Sequence, residues 1–215
     1  MIYGGTSARD TVTGPKWDRQ YAEEAYIFGT APNVFLAAEA HRFAPRGRIL
    51  VPGDGEGRNG VWLAGQGFQV TSVEASAVGV GKARALAAAR GVQPDIQNAN
   101  LDTWGWPLGA YDGVAAIFVH FEPHVRQSMH RRMLAALKPG GVLLLEAFTP
   151  KHVENRKAGS RGGPPPEMLY TADVLRDDLE SADIELLREE EVLLDEGSRH
   201  QGRAQVVRLV ARRAA

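Results

Sequence analysis

The chain has 215 residues, 44% of them hydrophobic and 24% charged, with a formal net charge of −1. That length suffices for one well-buried domain, and the near-neutral balance argues against a nucleic-acid partner and against an acidic solvating tail. There is no cysteine, which removes disulfides, thiolate metal sites and a cysteine nucleophile, and no metal centre is expected.

No apolar run approaches the roughly 20 residues that a bilayer-spanning helix needs. The first ten residues show neither the basic start nor the apolar core of a signal peptide. The expectation is a cytoplasmic protein with a single domain over residues 1–215.

Residues 1–16 are polar and glycine-containing and read as a loose leader. Residues 17–29 mix aromatic and charged positions, among them Trp17, Tyr21, Tyr26 and Phe28, and predict a short amphipathic helix. Pro32 at a first helical turn, followed by Phe35-Leu-Ala-Ala38, predicts a second helix reaching about Phe43. Ile49–Val51 reads as a first strand and residues 67–74, rich in β-branched side chains, as a second. The alanine-rich stretch 75–90 with Gly91 behind it predicts a helix with a glycine stop. Asp95–Gln97, Tyr111–Phe118 and Val142–Ala147 read as further strands. Between the last two, Glu122–Leu137 predicts a helix stopped by Lys138-Pro-Gly-Gly141. Strands alternating with helices of this length predict a parallel sheet covered on both faces.

The most informative segment is Arg48-Ile-Leu-Val-Pro-Gly-Asp-Gly-Glu-Gly-Arg-Asn-Gly60: a buried strand, a glycine-dense turn, then a helix start. Gly53, Gly55 and Gly57 let the backbone turn sharply and approach a ligand with no Cβ in the way. The helix behind them offers unpaired N–H groups and the positive end of its dipole. Gly55-x-Gly57-x-x-Gly60 also satisfies the dinucleotide pattern, with Glu74 near the place of a ribose-binding acid. A nicotinamide-dependent oxidoreductase therefore stays open at this point.

Several segments together resemble the class I S-adenosylmethionine-dependent methyltransferases: Gly53-Asp-Gly-Glu-Gly57, the acidic strand end Val73-Glu-Ala-Ser76, and Leu137-Lys-Pro-Gly-Gly141 ahead of an apolar strand. More narrowly, Trp17-Asp, Tyr26-Ile-Phe-Gly-Thr-Ala-Pro-Asn33, Ile117-Phe-Val-His120, Glu146-Ala-Phe and Arg199-His-Gln-Gly202 resemble a bacterial branch. That branch includes tellurite-resistance methyltransferases and is similar to thiopurine methyltransferases. The resemblance implies a Rossmann-like α/β fold with seven mostly parallel strands, the last antiparallel and paired over about 183–193 and 203–211. It implies N-terminal helices within residues 1–45 that cover the active site.

It further implies S-adenosylmethionine as cofactor. Gly53, Asp54, Gly55 and Gly57 would lie along the methionine part, Glu74 and Ala75 at the ribose, Asn100 and Leu101 at the adenine, and Phe118 near the methyl group. Val51 departs from the branch, standing where many members carry an acid, and Asp54 or a backbone carbonyl is expected to receive the cofactor's ammonium instead.

Methyl transfer from a sulfonium needs alignment and exclusion of water, and a base only when the nucleophile arrives protonated. His120 and His200 are the candidate bases, with His120 equally readable as a histidine satisfied at a strand end. Arg199 and Arg203 could hold an anionic acceptor, or belong to a charged hairpin. Trp17 and Tyr26 could line a substrate lid, or cover the core. Trp104 and Trp106 could stack on adenine, or anchor a loop. The expected acceptor is a small molecule, with a thiol, a metalloid or chalcogen oxyanion and a small hydroxylated or aminated metabolite all open, and a non-catalytic cofactor-binding protein of the same fold is a further alternative.

Overall fold

The computed structural model describes residues 13–214; the expected leader therefore lies mostly outside the described residues. Seven strands form one sheet: β1 (Arg48–Pro52), β2 (Gln69–Glu74), β3 (Asp95–Asn98), β4 (Tyr111–Ile117), β5 (Leu137–Phe148), β6 (Ala182–Glu196) and β7 (His200–Arg213). Their order is β3-β2-β1-β4-β5-β7-β6. The pairs among β1 to β5 are parallel, and β7 is antiparallel to both β5 and β6. This is the Rossmann-like arrangement expected, with the odd strand inserted last.

The central strands are near-continuous apolar runs because they are covered on both faces. Leu50, Val114, Leu143 and Leu209 point to one core, together with Met129 and Met133 of α5 (Pro123–Ala136) and Leu175 of α7 (Ala172–Asp178). Ile49, Val51, Ala115 and Leu144 point to the other, against Phe35 and Leu36 of α2 (Val34–Glu39) and Leu63 of α3 (Arg58–Gly65). Val51 is thus a core residue. The alanine-rich helix α4 (Ala77–Ala89) starts on Ser76, whose hydroxyl accepts from the Gly79 amide, an N-cap of the usual kind.

Four elements differ from expectation, one being β5, which starts at Leu137 and so takes in the Lys138-Pro-Gly-Gly141 stretch expected only as a helix stop. The first helix, α1, spans Thr13–Tyr21 and not 17–29. It stops there because the Lys82 ammonium draws the chain aside, donating to the carbonyls of Tyr21, Glu23 and Ala25 at 3.5, 2.9 and 2.7 Å. Helix α2 begins only at Val34, since Asn33 caps it by accepting from the Leu36 amide; Pro32 lies ahead of the cap. The final hairpin is longer than the sequence pattern indicated, and a short helix α6 (His152–Lys157) precedes it. Phe148, the last residue of β5, pairs with Val206. The hairpin tip from His200 to Gln205 consequently overhangs the C-terminal edge of the sheet, where the glycine turn also lies.

Candidate active site

Between β1 and α3 the chain makes three left-handed steps, at Gly53, Gly55 and Gly57, with φ of 61°, 58° and 88°. Only glycine adopts such angles without strain. Gly57 does so for packing: a Cβ there would meet Ala83 of α4 at 2.6 Å. That contact with α4 accounts for its left-handed step. The reading of Asp54 is corrected. Its carboxylate turns inward, accepting from the Gly60 amide and the Ser72 hydroxyl, and burial pushes its pKa up to about 7. It braces the turn from below and is not directed at a ligand's ammonium.

Glu74, at the end of β2, is buried and accepts from the amides of Gly55 and Ser76 at 2.9 and 2.7 Å. Burial raises its pKa, with those amides working in the opposite direction. Glu74 pairs in register with Asn98, whose side-chain amide donates to the carbonyls of Glu74 and Ala75. Leu101 is buried behind Asn100, whose own side chain accepts from the Asp102 amide. The sheet edge thus brings Glu74, Ala75, Asn100 and Leu101 together. Trp104 and Trp106 act as loop anchors here, their indole N–H groups bound to the Gln97 side chain and the Leu101 carbonyl.

Helix α1 lies across this edge. Tyr21 is buried with its hydroxyl 2.6 Å from where a Cβ on Gly55 would stand, and Val119 takes the corresponding place over Gly53 at 3.0 Å. Asp18 accepts from the Ser76 hydroxyl and the Val78 amide at the start of α4. Trp17 stacks on Tyr21 at 5.3 Å, with the Phe28 ring 6.3 Å away. Tyr26 lies elsewhere. Its hydroxyl donates to the Lys82 carbonyl and its ring carries the Lys82 ammonium, which pins the segment to the outside of α4.

Beyond the turn, Phe118 follows β4 with φ of 54°, an outlier for an aromatic residue and a form of strain that gathers at functional sites. Its ring stacks on Phe148 at 4.5 Å and meets His200 edge-on at 4.6 Å. Phe28 closes the other side of His200 at 4.5 Å. His200 is buried, and its Nδ1 lies 3.1 Å from Glu196 Oε2. Burial drives the imidazole towards its neutral form, opposed by Glu196. Glu196 is itself buried; burial alone would raise its pKa, but the bond to His200 and the Arg58 guanidinium at 2.8 Å bring it down to about 2.

The two candidate histidines therefore part company. The Nδ1 of His120 donates to the Met168 carbonyl at 2.9 Å, while Nε2 accepts from the Phe148 amide at 3.3 Å. Both ring nitrogens are engaged, and burial lowers the pKa to about 4. His120 is a neutral clamp between two backbone segments, which corrects its reading as a base. Arg203 is corrected too: it is mostly exposed and pairs with Glu191 on the outer face of the hairpin. Arg199 lines a cleft of about 340 Å³ with Glu23, Arg161 and Ser198, immediately outside the position of His200.

The sequence reading missed Arg58, Glu196, Asn33 and His152. Arg58 opens α3 and is buried, with Nη2 on Glu196 and no hydrogen-bond partner for Nη1 among the described residues. Asn33 donates its side-chain amide to both Glu146 and Glu196. His152 stacks on Phe148 at 4.4 Å, fully buried. An arginine one residue past a glycine turn was a visible signal for Arg58. Glu196 and Asn33 carried none, since their meeting spans 163 residues of chain.

Residues 49–141 match the family model described as a methyltransferase domain. The protein is a methyltransferase. S-adenosylmethionine is the cofactor of the methyltransferase, and the oxidoreductase alternative falls with that match. No curated protein sequence matches the chain.

Solved structures share its fold. One, described as the conversion of a disulfide bond into a thioacetal group during echinomycin biosynthesis, is 24% identical with a TM-score of 0.76, over 94% of this chain and 92% of that one. TehB from Haemophilus influenzae is 15% identical with a TM-score of 0.68, over 92% and 65%. The magnesium protoporphyrin IX methyltransferase ChlM from Synechocystis PCC 6803, with bound SAH, is 18% identical with a TM-score of 0.62, over 99% and 91%.

The residues of the methyltransferase suit that cofactor. Glu74 carries carboxylate oxygens of the kind that would accept from ribose hydroxyls, and the orphaned Arg58 Nη1 is a buried cation suited to an amino-acid carboxylate, while the amides of Gly53, Gly55, Gly57 and Gly60 are bound within the protein. Tyr21 and Val119 lie over the turn.

Proposed function

We propose that the methyltransferase acts on a small thiol. The observation that carries this reading is the setting of His200: a neutral imidazole walled by Phe28, Phe118 and Phe148 at the C-terminal edge of β4. Apolar aromatic walls desolvate a soft, polarisable sulfur at little cost and penalise a hydrated oxyanion. The buried cation beside the box, Arg58, is bound to Glu196 through Nη2, and its remaining Nη1 is reserved in this reading for the carboxylate of the cofactor. An oxyanion of tellurium or selenium, the acceptor class of the branch that the sequence resembles, is the second reading. It is favoured only by the arginine-lined cleft outside His200, which suits a carboxylate on a thiol equally well.

S-adenosylmethionine supplies an electrophilic methyl group, and the chain's own residues do the rest. Glu74 would hold the ribose, Arg58 would receive the carboxylate, and the aromatic walls would exclude water and align the acceptor with the methyl group.

The test is a release assay for S-adenosylhomocysteine across alkyl thiols, aryl thiols, tellurite and selenite. Turnover confined to the oxyanions would overturn the thiol reading. Calorimetry with S-adenosylhomocysteine checks the nucleoside contact in parallel. Glu74→Ala removes charge-assisted hydrogen bonds worth about 1.5–3 kcal/mol each, so affinity is expected to fall by roughly 10- to 100-fold. An unchanged affinity would remove Glu74 from the site.

A further inference from the structure

We propose that Glu196 is the positioning residue for His200, fixing the ring so that Nε2 takes the proton of the acceptor thiol as its sulfur attacks the methyl group. The inference rests on the thiol reading above and adds the group that makes it chemically complete.

The geometry has three parts. Glu196 Oε2 lies 3.1 Å from His200 Nδ1, so an Nδ1–H donates to it and Nε2 is left with its lone pair. Glu196 is held from two further sides, by the Arg58 guanidinium on Oε2 at 2.8 Å and by the Asn33 amide on Oε1 at 3.1 Å. A carboxylate so fastened cannot follow a rotating imidazole, and the ring orientation is set by it. Finally, Nε2 makes no hydrogen bond among the described residues, in contrast to His120, whose Nε2 is taken by the Phe148 amide. The elements arrive from across the chain: α3, the start of α2, and both strands of the terminal hairpin.

The step balances without an added reagent. The S–H bond breaks with its proton going to Nε2, and the sulfur lone pair forms the new C–S bond. The old C–S bond leaves its electron pair on the sulfonium sulfur, giving a neutral thioether. The imidazolium keeps its Nδ1–H on Glu196 and later yields the Nε2 proton to water. Charged and titratable groups facing the ring are Glu196 from β6, Arg58 from α3, His152 from α6 and His120 after β4. With both other histidines neutral, Glu196 is the only anion among them, opposed by Arg58.

Glu196→Gln keeps an oxygen that can accept from Nδ1–H while removing the charge. With saturating cofactor at pH 7, kcat for an alkyl thiol, protonated at that pH, is expected to fall about 10- to 100-fold, a part of the usual gain from general-base catalysis. An electron-poor aryl thiol, already ionised, is expected to react within about two-fold of wild type. The alkyl-thiol rate is expected to recover as pH rises and the thiolate forms on its own, and the acidic limb of the kcat profile to move to lower pH. Equal loss on both thiols would mean a structural role only and would overturn the proposal.

Nitrogen-15 NMR of wild-type imidazoles provides a check that needs no variant: His200 is expected as the Nδ1–H tautomer, and an Nε2–H tautomer would overturn the proposal. Wild-type protein that turns over neither thiol, with the Nδ1–H tautomer present, would instead sink the thiol reading and leave the Glu196–His200 pairing in place.

Discussion

Tyr21 holds its hydroxyl 2.6 Å from the point where Gly55 would carry a Cβ, so the N-terminal helix and the glycine turn contend for one volume. A ligand that lies on the turn must share that volume with Tyr21 or move it. Trp17, stacked 5.3 Å from Tyr21, reports on the outcome. In a variant with Trp17 as its single tryptophan, saturating S-adenosylhomocysteine is expected to shift the emission maximum, and hydrogen exchange over residues 13–21 is expected to change with it. Emission that stays fixed at full occupancy, established by calorimetry, would show that α1 holds its place.

Glu146 is fully buried and bound by Arg208 at 2.7 Å. Burial raises its pKa against the pull of that guanidinium. Arg208→Met leaves the carboxylate without its cation, and the loss of stability at pH 7 is expected to be about 3–5 kcal/mol. Because the stranded carboxyl can take up a proton, the loss should shrink towards pH 5. Urea denaturation at both pH values measures this, and adding Glu146→Gln should recover part of the loss. A loss below about 1 kcal/mol at pH 7, on the scale of an exposed pair, would contradict the pairing.

Asp54 has a folded-state pKa of about 7 against an ordinary value of 3.8, from burial first and foremost. Between those values the folded protein binds the extra proton. The contribution of Asp54 is therefore full below about pH 4 and is lost as pH rises through 7. Asp54→Asn can still accept from the Gly60 amide but has no proton to lose. Its stability relative to wild type is expected to rise steadily from pH 4 to pH 8, by urea midpoints at matched temperature. A difference independent of pH would show that Asp54 is ionised throughout.

Local chemistry made much of this protein legible in its sequence. The apolar runs of β1, β4 and β5, the Ser76 cap, the Lys138-Pro-Gly-Gly141 stop and the left-handed glycines are all consequences of neighbouring residues. A strand buried on both faces must be apolar, and a turn at positive φ must be glycine. The same local logic brought Glu74 to the turn. It misplaced α1, because the group that ends that helix is Lys82, 61 residues away from Tyr21.

The division between His120 and His200 was decided by tertiary structure alone. Both stand at strand ends and both titrate near neutrality in isolation, so nothing local distinguishes them. Folding gives one of them two backbone partners, and gives the other a carboxylate held by Arg58 and Asn33. Which nitrogen is left free is a property of contacts between distant segments, and no pattern of neighbouring residues encodes it.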